Sequence, residues 1–264
     1  MDAPDSPKRE AMSGVLPRGK KDLARQAALF GGAYLLYQLV RALVAHDAFD
    51  PGYTPFGDAT KVITLERAMH VFVEPKVQEW TARTQWLMDL ADWSYLHVQY
   101  VVSLAAAAFI YLRRNDSYYF VRNMVLVAMA IALLGYVVFP TAPPRLMPEW
   151  GFTDSIQQFT RVDVERGPSS QLLNLYAAVP SMHVCFAIMI GWPMAGLVRN
   201  RLAKALWLLY PPWIAFVVLA TANHYLLDVV LGAATAIVAA LVADRLARVR
   251  PHQWRFGAAR ARHV

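Results

Sequence analysis

Six stretches of this chain are built mainly from apolar side chains, each about 17 to 25 residues long, which is the length of helix needed to cross the hydrocarbon core of a bilayer. They are Leu23–Ala45, Ser94–Leu112, Tyr118–Phe139, Met182–Val198, Ala205–Ala222 and Tyr225–Leu246. Hydrocarbon offers no partner to unpaired backbone N–H and C=O groups, so such segments must be helices that satisfy their own hydrogen bonds. The expected fold is therefore all-α, a polytopic membrane protein with six transmembrane helices. Composition agrees: 57% of the 264 residues are hydrophobic and 17% charged, less charged surface than a water-soluble domain of this size needs. Pro211–Pro212, inside the fifth stretch, removes two helix donors and should kink it. Cys185 stands alone and within an apolar run, so neither a disulfide framework nor a cysteine zinc site is available.

The formal net charge of +7 raises the question of nucleic acid, but the basic residues bracket the apolar stretches instead of lining a polar, aromatic-bearing face. Lys8, Arg9, Arg18, Lys20, Lys21 and Arg25 precede or open the first stretch. Arg113, Arg114 and Arg122 follow the second; Arg199, Arg201 and Lys204 follow the fourth. Arg245, Arg248, Arg250, Arg255, Arg260 and Arg262 close the chain. These eighteen of the 26 basic residues fall on one side, which the positive-inside rule makes cytoplasmic. A multi-pass protein of the cell membrane with both termini in the cytoplasm is the expected topology.

The chain divides into a basic, disordered cytoplasmic tail (1–22), a six-helix membrane domain (23–248) and a second basic cytoplasmic tail (249–264). No small-residue cleavage site follows the first apolar stretch, so it is expected to be retained. The connection 46–93 carries Val62, Leu65, Met69 and Phe72 at helical spacing, with Lys61, Glu66, Arg67 and His70 among them. It is expected to form an amphipathic helix on the outer interface; a cap packed on the protein itself is an equal alternative. Trp80, Trp86, Trp93, Trp150 and Tyr95 suit interfacial belts, and Met124, Met129 and Met189 suit apolar filling.

Ionisable groups at membrane depth are costly and mark function by default. Three clusters stand out: Pro140-Thr-Ala-Pro-Pro-Arg145, Pro180-Ser-Met-His183 and Asn223-His-Tyr-Leu-Leu-Asp228. All three fall at the outer ends of stretches three to six, opposite the basic side. His224 and Asp228 are four apart and share a helix face. A carboxylate on one imidazole nitrogen fixes the tautomer and leaves the other nitrogen free. His183 opens the fourth stretch directly after Ser181, and helix starts of this kind bind phosphate. Arg145, on a proline-stiffened segment, has a guanidinium suited to phosphate oxygens. Taken singly, each has a plain structural explanation: a capping or interfacial histidine, or an arginine reaching for the interface. Their convergence on one end favours a phosphate-ester site, placed on the extracytoplasmic leaflet.

At these residues the chain resembles the type 2 phosphatidic acid phosphatase superfamily (the lipid phosphate phosphatases), whose motifs are K-x6-R-P, P-S-G-H and S-R-x5-H-x3-D. The second is present as Pro180-Ser-Met-His183, and the third keeps His224-x3-Asp228. The lysine of the first falls at Val138, and no proline follows Arg145; the Ser-Arg of the third falls at Val217-Val218. The variant pattern P-x-x-P-P-R, P-S-M-H and N-H-Y-x-x-D resembles the branch that includes inositol phosphorylceramide synthases. The segment from Leu65-Glu66 to Phe72-Val73-Glu74 is also similar to bacterial members of that branch.

The resemblance implies that His224 is the nucleophile and forms a phosphohistidine, with Asp228 orienting it, His183 protonating the leaving oxygen and Arg145 stabilising the pentacoordinate charge. It implies no metal or other cofactor. Ser181, Asn223 and Tyr225 are the further candidates for phosphate contact. Arg41, His97, Arg161 and Arg166 are candidates to replace the missing basic ligands, Arg41 first; Asp92 and His97 are candidates to line a headgroup pocket. The expected partners are the bilayer and a membrane lipid phosphate or phosphodiester, with no nucleic acid. Loss of two basic ligands tilts the expectation from hydrolysis of a monoester toward phosphotransferase chemistry, in which a phosphoryl-headgroup passes between lipids. A phosphatase acting on phosphatidate, phosphatidylglycerophosphate or polyprenyl pyrophosphate is the alternative, and a non-catalytic lipid carrier or scaffold is the alternative of another class.

Overall fold

A computed structural model describes residues 16–46, 54–161 and 178–257, with the side chains of 41–46 excepted. The first helix, α1 (Gly19–His46), has 28 residues and starts ahead of the expected Leu23. Two shorter helices, α2 (Pro55–Ala68) and α3 (Glu74–Ala82), follow. Then α4 (Gln85–Trp93), a π-helical turn (Ser94–Val98) and α5 (Gln99–Arg113) run on as one 29-residue helix. The helix that holds the second apolar stretch therefore begins at Gln85, ahead of Ser94. Helix α6 (Asn115–Val138) leads through the 3-10 turns Pro144–Leu146 and Pro148–Trp150 to the short α7 (Ser155–Thr160). Beyond lie α8 (Met182–Leu197), α9 (Arg201–Ala220), α10 (Leu226–Ala247) and the single turn α11 (Pro251–Trp254).

Four helices of the described chain are long and apolar enough to cross a membrane: Gln85–Arg113, Asn115–Val138, Arg201–Ala220 and Leu226–Ala247. Expectation and structure part at two helices, α1, which is not among these four, and α8. The latter has 16 residues, about 24 Å at 1.5 Å per residue, short of a hydrocarbon core of about 30 Å. The reason lies in its place. Helix α8 packs against α5, α6, α9 and α10, and Met182, Val184, Cys185, Ala187, Met189, Ile190 and Met194 are all buried. An all-round apolar helix is what a bundle centre requires, and a helix sheathed by longer neighbours need not match the bilayer itself.

Helix α9 continues through Pro211–Pro212. The carbonyl of Trp207, which loses its donor to Pro211, lies against Gly191 of α8, where a Cβ would come within 2.7 Å of it. The glycine thus lets the proline-bearing helix approach closely.

The basic turns gather at one end, as the charge pattern requires. Arg18 Nε donates to Asn115 Oδ1 (2.9 Å) and Arg114 Nη2 to the Leu197 carbonyl (3.5 Å). Buried Arg122 is bonded to Gln26 and Asn123 and lies over the Tyr119 and Trp254 rings. Phe256 packs on Phe120 and Trp192. The start of α1 and the segment after α10 therefore belong to this packed end. Because α6, α8, α9 and α10 alternate in direction, Arg145, His183 and His224 fall together at the other end.

That end is covered by α2 and α3. The buried face of α2 is Ala59, Val62, Ile63 and Glu66, packed with Ala142, Met147, Phe152, Ala222 and Tyr225. Leu65 and Met69, expected on the apolar face, are exposed, each at 47%. The position read as polar, Glu66, is the one turned inward.

Candidate active site

The turn entering α8 is clamped between two helices. Val179–Pro180, a cis peptide, crosses Gly135 of α6, where a Cβ would meet Pro180 Cδ at 2.8 Å. The Ser181 carbonyl crosses Gly232 of α10, where a Cβ would meet it at 2.4 Å. Tyr136 Oη donates to the Pro180 carbonyl (3.3 Å), and the Ser181 N–H donates to the Asp228 carbonyl (3.1 Å). Ser181 then caps α8, its hydroxyl accepting from the Val184 N–H at 3.5 Å. These contacts fix the start of the helix and with it His183.

His183 lies flat on Tyr95, ring centroids 4.4 Å apart and planes at 19°. Tyr95 belongs to the π-helical turn, whose extra residue per turn shifts the register of the long helix. The expectation of an interfacial belt residue is thus replaced by a contact with the histidine. On the other side, the His183 and His224 ring centroids are 5.8 Å apart, planes at 59°.

His224 is buried between α9 and α10. Its N–H and that of Asn223 both donate to the Val218 carbonyl, and Ala222 before them takes a left-handed φ of 51°. His224 Nδ1 is 3.3 Å from Asp228 Oδ2, which also accepts the Tyr225 N–H at 2.9 Å. Asp228 is 0% exposed. The i, i+4 pairing read from the sequence is therefore present, and it leaves His224 Nε2 as the nitrogen on the far side of the ring.

Arg145 is brought to the same cluster through Asn223. Its backbone N–H donates to the Ala222 carbonyl (2.7 Å), its Nε to Asn223 Oδ1 (3.1 Å) and its Nη1 to Asp154 Oδ2 (2.7 Å). The Asn223 amide is itself bonded to the Thr221 carbonyl and hydroxyl. The loop carrying Asp154 is pinned by Gln78, which exchanges two hydrogen bonds with the Thr153 backbone (2.9 and 3.1 Å), and by buried Asp92, which accepts from Ser155 Oγ at 2.7 Å. Asp92 thus holds a loop.

Other candidates lie elsewhere. Tyr225 is 0% exposed and donates to the Ala142 carbonyl within the apolar cap. His97 is exposed and stacks on Trp93. Arg161 is exposed at the left-handed end of α7. The side chain of Arg41, and Arg166 altogether, lie outside the described residues. Where the family motifs carry lysine and arginine, Val138 is 78% exposed and Val218 is 0% exposed, the latter packed with Val184, Ala187 and Tyr95. Sequence reasoning missed Tyr95, Asp154, Gln78 and the inward turn of Glu66 and Glu74. Only the two glutamates had a signal, their place in a segment similar to bacterial relatives.

An all-helical bundle of apolar, membrane-length helices with a buried His–Asp pair, a second histidine and an arginine at one end defines a class of membrane protein built around a polar site. The chain belongs to the PAP2 superfamily, whose family model matches residues 60–242, more than half of the chain. Members of that superfamily are generally phosphatases. No curated protein and no solved structure matches the chain significantly.

Proposed function

We propose that this protein is a lipid phosphotransferase or phosphatase that works through a phosphohistidine at His224. The observation that carries the reading is the arrangement His183–His224–Asp228, with 5.8 Å between the imidazole centroids and 3.3 Å from His224 Nδ1 to the carboxylate. His224 Nε2 attacks phosphorus and the bond to the leaving oxygen breaks, that oxygen taking its proton from His183. Asp228 holds the proton on Nδ1 and stabilises the imidazolium. An acceptor hydroxyl, of water or of an alcohol, then gives its proton to His183 and attacks phosphorus, and the P–N bond breaks to restore His224. Arg145 neutralises the equatorial oxygens, its fork held by Asp154 and Asn223.

Transfer of a phosphoryl-headgroup is favoured over hydrolysis of a monoester. Buried Val217 and Val218 stand where the phosphatases carry Ser-Arg, and Asp154 offsets part of the Arg145 charge. A diester, with one negative charge fewer than a fully ionised monoester, suits such a site. The same departures support placement in the branch resembling inositol phosphorylceramide synthases.

In the membrane, we read six spans with α1 and the central α8 joining the four apolar helices, both termini cytoplasmic, and the site in the extracytoplasmic leaflet. The apolar surface of α1 (Leu35, Leu36 and Leu39, all more than half exposed) supports its place against lipid. Exposed Phe56, Leu65 and Met69 on or just after α2 and Trp80 on α3 support an interfacial seat for these two helices.

The test is turnover by the purified protein in detergent on a panel of lipid phosphates and phosphodiesters, with and without inositol or a long-chain diol, beside His224→Ala. A new lipid product without free phosphate, lost in the variant, supports transfer. Free phosphate from monoesters makes the protein a phosphatase. No turnover, with lipid binding equal in wild type and variant, makes it a carrier.

A further inference from the structure

The first turn of α10 is held by its own Asp228 and by acids from two other helices. The Tyr225 N–H is taken by Asp228 Oδ2 (2.9 Å), the Leu226 N–H by Glu74 Oε1 (2.6 Å) and the Leu227 N–H by Glu66 Oε1 (2.7 Å). Helix starts leave just these amides without intrahelical partners. Supplying them from α2 and α3 ties the cap to the helix that carries Asp228. A tight turn between α2 and α3 allows this: His70 adopts φ 59°, and the Val71 N–H returns to the Glu66 carbonyl (2.9 Å).

Glu66 and Glu74 are each 0% exposed, and the Oε2 atom of each, like Oδ1 of Asp228, is buried without a hydrogen-bond partner. Two adjacent buried carboxyls cannot both ionise cheaply. Burial first, then the hydrogen bond and the charge of Glu74, push the Glu66 carboxyl up to about 9. The other charged group acting on Glu66 is Asp228, also an acid, and the Tyr225 phenol lies near the same three carboxyls and Glu149. The partial positive charge of the helix start offsets about half an elementary charge, only part of one anion and far less than three.

We infer that Glu66 and Glu74 share one proton and act as positioning residues for the His224–Asp228 pair, holding the first turn of α10 so that Asp228 meets His224 Nδ1. The inference rests on the reading of His224 as nucleophile. Loss of the shared proton sets two anions beside Asp228, drives the cap off α10 and releases Asp228 from register. Because the folded chain keeps this proton to higher pH than the unfolded chain does, its stabilisation is complete below the unfolded carboxylate range and is lost as pH rises through about 9.

The experiment measures thermal unfolding of the full chain in detergent between about pH 6 and about pH 10, and turnover on the lipid-phosphate panel, for wild type, Glu66→Gln, Glu66→Ala and His224→Ala. In Glu66→Gln the new side-chain amide accepts from the Leu227 N–H, donates to Glu74 and does not titrate. This variant is therefore expected to remove much of the alkaline fall in Tm while keeping kcat within about threefold of wild type. Glu66→Ala is expected to lower kcat by about 10- to 100-fold with little change in KM, as displacement of a reacting group does. An unchanged alkaline fall in Glu66→Gln, or an unchanged kcat in Glu66→Ala, overturns the inference. If Glu66→Ala does not fold, the pH slope of Glu66→Gln decides. If wild type turns over nothing on the panel, the reading of His224 fails, and the slope still decides whether the pair holds a proton.

Discussion

Tyr95 is stacked on His183, centroids 4.4 Å apart, and so joins the π-helical turn of one span to the opening turn of the bundle's central helix. The contact restricts the imidazole to one plane, facing His224. A ring placed this way serves proton transfer better than a free one, because the donor must lie within hydrogen-bond reach of the leaving oxygen.

Removing that ring should loosen the acid more than the fold. Tyr95→Leu is expected to lower kcat by about 2- to 10-fold, the equivalent of the roughly 0.5–1.5 kcal/mol that such aromatic pairs contribute. Tyr95→Phe should stay near wild type, since the ring face makes the contact. Steady-state kinetics on the best substrate of the panel checks this, and equal losses in both variants would move the role from the ring to the hydroxyl.

Asp228 Oδ2 receives both His224 Nδ1 and the Tyr225 N–H. In Asp228→Asn one oxygen remains to accept from Tyr225, while the amide donors oppose the Nδ1–H tautomer. The variant should fold and lose on the order of 10³-fold or more in kcat, by analogy with triads whose orienting acid is made neutral. Near-normal activity with an unchanged melting curve would remove Asp228 from the mechanism.

Arg145 makes its bonds through Nε and Nη1, aimed by Asn223 and Asp154. Lysine carries the charge without the fork. Arg145→Lys is expected to cost about 10²- to 10³-fold in kcat, in line with about 2.7–4 kcal/mol for one aimed donor. Vanadate inhibition of wild type and variant gives a second readout, because a trigonal-bipyramidal mimic should bind the variant less tightly.

Gly232 meets the Ser181 carbonyl so closely that a Cβ would sit 2.4 Å from it, against backbone that cannot swing away. Gly232→Ala should destabilise by about 1–3 kcal/mol, the cost of overpacking, seen as a lower Tm in detergent. Gly31→Ala, where nothing lies within 4 Å of an added Cβ, is the control and should leave Tm near wild type.

Much of this site was legible in the chain. His224 and Asp228 meet as their spacing of four suggested, although His224 stands just ahead of the helix that carries Asp228, and Pro-Ser before Met182 marked a helix start. Tyr95 was illegible because a π-turn changes which residues share a face, and its periodicity differs from the 3.6 assumed for the span. The inward turn of Glu66 was illegible for a related reason. Leu65 and Met69 are the more apolar residues, yet burial of Glu66 is compensated by the Leu227 N–H, a partner 161 positions away that no local pattern contains.

The apolar helices, the side on which the basic residues gather, and the end at which histidine, aspartate and arginine collect were all readable from the order of residues, because bilayer thickness and the lack of hydrogen-bond partners in hydrocarbon act on each segment separately. Assembly of the bundle was needed to make the 16-residue Met182–Leu197 its central helix, to aim Arg145 with Asp154 and Asn223, and to hold the helix of Asp228 with Glu66 and Glu74. Those outcomes depend on which buried polar group finds which partner across the bundle, and pairing over such separations is settled by packing geometry, not by the pattern along any one segment.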